Sequence, residues 1–478
     1  MINRRDFLKT AGVGAAAFAL DGMDPLSAAP KKKKKENAAA PSDKVKVALI
    51  GIGFRGNENA KKVHETGMCD VIALCDVNMG AAHTQEIMGL YPKARRYQDF
   101  RKLFDELAGQ LDAVFVSVPD FAHFAIAMHA IKCGVSVYSE KPLGLTFYQN
   151  ELLAEAARRN PKVVTQMGNQ GHSGPGYFQF KEWVDAGIIK NVTRINTHFN
   201  NTRRWYGYDT SISKYPEAEP VPQTMDWDTW LMQTKWHDYS SKYDPGNWRG
   251  WYDFGNGALG DWGAHIFDNA HEFLQLGLPT EVSILNEEGH NDYFFPMSST
   301  IKFHFPRRGD KPACDMYWYE GLNNMPELPA GYGVSEASDV PLVGGKAYVP
   351  TKLNPGKEIY SDEYIFKGGS HSSKLEIIPK ELNDELDKAG KLPHEPEGYH
   401  FNHYINFLNA IRGTEKAHSP FEIAGELCQV INLGVIAQRL NTSFRFDRGS
   451  KEIMDNPFAN ALLTGEPPRK GWEEYFKL

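Results

Sequence analysis

Cysteine is scarce in this 478-residue chain. There are five, Cys69, Cys75, Cys133, Cys314 and Cys428, an odd number with no CxxC pair. That argues against a disulfide framework or a zinc knuckle and leaves the thiols as small core residues. HExxH, paired-cysteine and EF-hand patterns are missing too, so no metal is expected. No apolar run reaches about eighteen residues, so no segment is expected to span a bilayer. Surplus positive charge is also lacking: Lys+Arg 53 against Asp+Glu 60 gives a net charge of −7. Five of those lysines stand together at 31–35, which leaves the remaining body more acidic than the total suggests. An acidic body is a poor match for phosphate backbones, and nucleic acid is set aside as a partner. Hydrophobic residues at 41% and charged residues at 24% suit a folded chain of about two to four domains.

Arg4 and Arg5 precede Asp6, Phe7, Leu8 and Lys9, after which Ala11 to Leu20 form a weakly apolar stretch rich in Ala and Gly. This is the layout of a twin-arginine export signal. The stretch is about half the roughly twenty residues that a bilayer core requires. Ser27, Ala28 and Ala29 supply small residues for cleavage. A signal over 1–29 and a flexible linker over 30–43 are expected, with a periplasmic mature protein that does not insert in the membrane. The twin-arginine route carries folded proteins, so a cofactor can be bound before export.

From Lys44 the pattern changes. "KVKVALIGIG" is an apolar strand ending in glycines, "FRGNENAKKVHET" reads as a helix, and "CDVIALCDVN" is a second strand ending in an acid. Gly51, Gly53 and Gly56 fit G-x-G-x-x-G. The first permits a tight turn, the second admits a pyrophosphate, and the third lets helix and strand pack closely. Phe54 and Arg55 complete the turn, and the helix start offers free N–H groups to phosphates. Asp76, 20 residues beyond Gly56, can accept bonds from both ribose hydroxyls and would repel a 2′-phosphate, which favours NAD over NADP. Strand and helix keep alternating through 111–120, 135–144 and 162–170, implying a doubly wound parallel sheet over 44–168. Ligands bind beyond the carboxyl ends of such strands, where Pro119, Asp120, Glu140, Lys141, Asn169 and Gln170 fall.

The motifs "GIGFRG", "CDVN", "VPDFAH" and "EKP" (Glu140–Pro142), with "GDWGAHIFD" and "HYINFLNAIRG" further on, resemble the Gfo/Idh/MocA oxidoreductases. That resemblance implies a Rossmann domain followed by an α+β C-terminal domain over 169–478, built on a large open, mostly antiparallel sheet whose outer face serves in homo-oligomers. It places Lys141 between nicotinamide and substrate. In the family's D-x-x-x-H pattern His265 accepts the proton of the alcohol being oxidised, and Asp261 orients it. On a helix, Asp261 and His265 at i and i+4 would share a face.

Further candidates come from the residues themselves. His123 stands one helical turn after Pro119, at the cofactor end. Asn169 and His172 leave the last Rossmann strand on a loop able to bond a polyol. Seven of the ten tryptophans fall between 205 and 262, and Trp205 and Trp251 are candidates to stack on a sugar. Arg203 and Arg204 could recognise an acidic sugar or form a solvated edge. His403 and Tyr404 are read as packing. Residues 330–398, rich in Gly, Pro, Lys and Glu without period, are read as long loops.

Three functions fit. The first is oxidation of a sugar, glycoside or cyclic polyol by a retained nicotinamide cofactor. The second is redox-neutral glycoside cleavage in which transient oxidation at C3 acidifies C2 for elimination. The third is a non-catalytic sugar-binding subunit.

Overall fold

A computed structural model describes residues 44–207, 209–243, 246–333 and 353–478. The expected signal and linker lie outside the described residues.

The first half alternates strand and helix. In order come β1 (Val45–Ile50), α1 (Arg55–Glu65), β2 (Cys69–Cys75), α2 (Ala82–Leu90), β3 (Arg95–Tyr97), α3 (Phe100–Leu107), β4 (Ala113–Val116), α4 (Asp120–Lys132), β5 (Ser136–Ser139), α5 (Phe147–Arg159) and β6 (Thr165–Met167). All six strands are parallel in the order β3-β2-β1-β4-β5-β6. β4 and β5 are buried at every position, as a sheet covered by helices on both faces requires. The order reverses between β1 and β4, and a crevice opens there at the strands' carboxyl ends.

The second half opens with α6 (Pro175–Asp185), β7 (Arg194–Phe199) and the short α7 (Trp227–Leu231). A π-helical turn, Leu259–Gly263, then leads into α8 (Ala264–Ile266) and α9 (Asp268–Phe273). The sheet strands come next: β8 (Glu281–Glu288), β9 (Ser298–Phe305), β10 (Cys314–Glu320), β11 (Gly356–Tyr360), β12 (Ile365–Gly369) and β13 (Glu376–Ile378). The chain ends with α10 (Lys380–Lys388), α11 (His403–Ile411), α12 (Phe421–Leu440), β14 (Phe444–Asp447), β15 (Glu452–Ile453) and α13 (Pro457–Leu462). The nine-stranded sheet runs β13-β12-β11-β7-β10-β9-β8-β14-β15 and is antiparallel except where β10 meets β7. The expected pairing of a parallel Rossmann sheet with a mostly antiparallel second sheet is what the molecule has.

The reading of 330–398 as loops needs correction. Its described part contributes β11, β12, β13 and α10. Strand propensity is weak there, but β7 supplies the hydrogen bonds, and tertiary pairing overrides local preference. Gly356 is required at this crossing, because a Cβ on it would lie 2.3 Å from the Gly368 carbonyl oxygen. The cysteines also divide: Cys75, Cys314 and Cys428 are buried, whereas Cys133 is exposed.

α12 ties the halves together. Gly425 brings it against Ala154 of α5, and Asn432 Oδ1 accepts a 2.6 Å bond from Asn150 Nδ2.

Candidate active site

The glycine turn after β1 is enforced by contact. Gly51 has φ +79, and a Cβ there would lie 2.4 Å from the Ser117 carbonyl oxygen. On Gly56 a Cβ would meet the Gly51 oxygen at 2.0 Å, and on Gly53 it would meet His83 at 2.4 Å. Among the described residues no side chain caps α1, whose N-cap is Phe54; the turn closes on itself instead, with the Gly56 N–H donating to the Gly53 carbonyl at 2.7 Å. Asp76 closes β2 with its carboxylate held by backbone: Oδ2 accepts the Ile52 N–H at 3.1 Å and Oδ1 the Asn78 N–H at 2.9 Å. A turn in which backbone bars a side chain at Gly51 and Gly56, a helix start without a side-chain cap and an oriented acid suit a dinucleotide.

A cleft of about 610 Å³ runs from Asp76 past Gly51, Gly53, Phe54, Arg55 and Pro119 to Glu140, Lys141, Asp261 and His265. Glu140 is buried, and its Oε1 accepts bonds from Arg55 Nε (3.1 Å), Asn59 Nδ2 (2.9 Å) and Gln170 Nε2 (3.3 Å). This network fixes the strand end that presents Lys141. Lys141 Nζ donates to Asp261 twice, to Oδ1 at 2.6 Å and to the main-chain oxygen at 2.8 Å. Arg204 also donates to the Asp261 carboxylate, and Arg249 Nε stands 3.7 Å from it. Burial works against ionisation of Asp261, but Lys141, Arg249 and Arg204 outweigh it and hold the carboxyl well below its usual range.

His265 is buried, and among the described residues its Nδ1 has no hydrogen-bond partner. Burial, then the charge of Lys141 and the neighbouring His371, hold its pKa well below the ordinary histidine value. The imidazole is therefore neutral and able to take a proton. Asp261 does not bond it. The segment expected to be α-helical runs through the π-turn, whose wider spiral re-aims Asp261 toward Lys141. Asp261 is thus bonded to the lysine and not to the histidine with which the resemblance pairs it.

Several candidates do not line the cleft. His123 is buried behind the lysine loop, where its Nδ1–H donates to the Pro142 carbonyl at 2.8 Å. Asn169 is buried and spends its Nδ2 on the Ala264 carbonyl at 3.1 Å. His172 falls in a 3-10 turn, Gln170–Ser173, with one ring nitrogen on Asp268 and the other on the His418 carbonyl. Trp205 is buried beneath the Arg204 and Arg249 guanidiniums, 5.6 and 5.9 Å from its ring. Trp251 is likewise core. The aromatic residues that do reach the cleft include Trp230, Trp248 and Trp262.

Sequence reasoning missed Arg249, His371 and His83, which also line the cleft. His371 comes from the segment read as loop; its ring stacks on His265 at 3.8 Å, and its N–H donates to the His265 oxygen at 3.1 Å. Only the tryptophan crowding hinted at Arg249, which follows Trp248.

Residues 45–167 match the family model described as "Oxidoreductase family, NAD-binding Rossmann fold", and residues 179–305 match the companion model, "Oxidoreductase family, C-terminal alpha/beta domain". The chain belongs to the Gfo/Idh/MocA oxidoreductase family. Residues 1–20 match the twin-arginine translocation signal, which directs this family member to the periplasm. Among Gfo/Idh/MocA relatives, the chain is 30% identical over 190 residues to an inositol 2-dehydrogenase/D-chiro-inositol 3-dehydrogenase of Lactiplantibacillus plantarum, covering 39% of this chain and 52% of that one. It is 31% identical over 219 residues to a glycosyl hydrolase family 109 protein of Shewanella pealeana, covering 43% and 47%. The chain spans about half the length of the curated relatives it matches. In fold it resembles a levoglucosan dehydrogenase solved with NADH and levoglucosan, with TM-score 0.54 at 14% identity over 84% of this chain and 99% of that one.

Proposed function

We propose that the protein is an exported, NAD-dependent oxidoreductase acting on a hydroxyl-bearing carbon of a sugar, glycoside or cyclic polyol. The Rossmann unit is taken as 44–168 and the substrate and oligomerisation unit as 169–478. The observation that carries the reading is a buried His265 facing the same cleft as the glycine turn, beside a lysine fixed by a carboxylate. Bound NAD supplies a hydride acceptor. Gly51, Gly53, Phe54, Arg55 and Gly56 form the turn that would hold its pyrophosphate, and Asp76 would receive the ribose hydroxyls, which disfavours NADP. Lys141 donates a hydrogen bond to the reacting oxygen, and His265 takes the hydroxyl proton. Asp261 keeps the ammonium aimed.

A periplasm is not expected to hold a free nicotinamide pool, so the nucleotide is expected to remain bound through turnover. The test is to denature the exported protein, identify the nucleotide released, and screen sugars for reduction of the bound cofactor. His265→Ala is expected to lower kcat/KM by about 10²–10⁴. Recovery of no nucleotide, or an unaffected His265→Ala variant, overturns the reading.

A second reading, glycoside cleavage without net oxidation, is favoured by the likeness to the Shewanella glycosyl hydrolase family 109 protein. Release of the aglycone from an aryl glycoside with no accumulation of reduced cofactor would select it.

A further inference from the structure

The substrate end of the cleft has more cations than its one carboxylate can satisfy. Lys141, Arg204 and Arg249 all converge on Asp261. Lys141 and Arg204 bond it directly, whereas Arg249 stays 3.7 Å away, outside good hydrogen-bond distance. Among the described residues the Arg249 guanidinium has no hydrogen-bond acceptor. It is nevertheless held in place: it lies 4.2 Å from the Trp248 ring centroid, and its side chain is 25% exposed. The turn that carries it, Asn247–Gly250, presses on Gly255, where a Cβ would sit 2.5 Å from the Arg249 Cα. Arg204 lies between the Trp205 and Trp262 rings, 5.6 and 5.9 Å from their centroids, with half of its side chain exposed and one N–H on Asp261.

Among the described residues, the other acids beside the cleft do not cancel this charge. Glu140 is bonded to Arg55. Asp120 is wholly buried, and burial pushes its carboxyl up to about 7 despite Arg249 and Lys141. Two guanidiniums with open donors therefore border the cleft, backed by aromatic rings. A neutral hydroxyl fills one such donor, whereas a planar carboxylate accepts the paired N–H groups of the fork.

We propose that Arg249 and Arg204 form a carboxylate subsite, so that the substrate is an acidic sugar of the uronate type. The subsite deepens the oxidoreductase reading and rests on it only for the chemistry after binding. The probes are methyl β-D-glucuronide and methyl β-D-glucoside, which share a ring and differ at C6. Each is titrated into the exported holoenzyme by calorimetry and by quenching of the cleft tryptophans. The glucuronide is expected to bind at least about tenfold more tightly, with a preference that shrinks as salt is raised. In Arg249→Met, which keeps the stem on Trp248 without the charge, the ratio is expected to fall toward one. Arg249→Lys, which keeps the charge, is expected to retain part of it.

Equal affinity for the two glycosides, or an Arg249→Met variant that weakens both alike, overturns the subsite. So does equal or tighter binding of glucose 6-phosphate, whose anion is not planar. Selective glucuronide binding without reduction of the bound nucleotide supports the subsite and sinks the oxidoreductase reading. Oxidation of the glucoside as efficiently as the glucuronide does the reverse.

Discussion

At the scale of single residues, the pairing of His265 with His371 sets how the proposed base behaves. Two parallel imidazoles 3.8 Å apart cannot both carry charge without repulsion. The position is built at a conformational cost, since His371 and Ser372 have φ of 54 and 51. It is secured where Ser372 Oγ donates to Asn269 Oδ1 at 2.6 Å. Lys141, Asp261 and Arg55 act on both rings, and Asp268 acts on His371. His371 is the more open of the two, and burial, then Lys141 and Arg55, lower its pKa. A proton on His371 opposes one on His265. Replacing His371 with Phe keeps the stack, removes that charge and raises the pKa of His265. The acid limb of kcat/KM is then expected to move to higher pH, and His371→Lys should move it the other way. Ring-proton NMR of His265 in the holoenzyme reads the same shift without turnover. A variant that lowers kcat/KM equally at every pH would show that His371 only packs.

At the scale of elements, the turn between β1 and α1 depends on Gly56. A methyl group there meets backbone, not a movable side chain, at 2.0 Å. Gly56→Ala is expected to cut the nucleotide recovered from purified protein by at least about tenfold, with the C-terminal half still folded by circular dichroism. A second element-level device is the buried His172–Asp268 contact, which joins the turn after β6 to α9. Burial opposes the charge on His172, but Asp268 outweighs it and raises the pKa from 6.5 to about 9. The folded state therefore binds this proton more tightly than the unfolded chain. The stabilisation is fully present below about pH 6.5 and is lost as pH rises through 9, an effect on the order of 3 kcal/mol. Tm is expected to fall across that interval, and His172→Gln should flatten the dependence. A wild-type Tm that stays level from pH 6.5 to 9 would contradict it.

At the scale of the whole molecule, the cleft lies where the Rossmann crevice meets the π-turn and the irregular segment before it. A ligand there bridges both halves and should stabilise the fold as a unit. Protein stripped of nucleotide is expected to melt at lower temperature, with NAD restoring Tm at concentrations about tenfold lower than NADP. A larger shift with NADP would remove Asp76 as the discriminating group.

The Rossmann half was legible because its signals are local. Strand runs, a turn only glycine can make and an acid at its end all lie within about thirty consecutive residues. Lys141 was legible for the same reason, at the end of a strand beside a proline. The other half of the site was not. Arg249 and His371 come from segments with no period, and they meet Arg204 and Trp262 because the π-turn and β11–β12 bring them to one place. Likewise, no i, i+4 spacing can announce that Asp261 faces a lysine instead of a histidine, because the helix type depends on what packs around it. Nor could composition show that His123, Asn169 and His172 are buried on other partners. Sequence alone determined the export signal, the dinucleotide turn and the lysine. Tertiary structure decided which imidazoles meet in the cleft, what holds the lysine and which arginines are left open, since burial and charge pairing arise only from distant segments brought into contact.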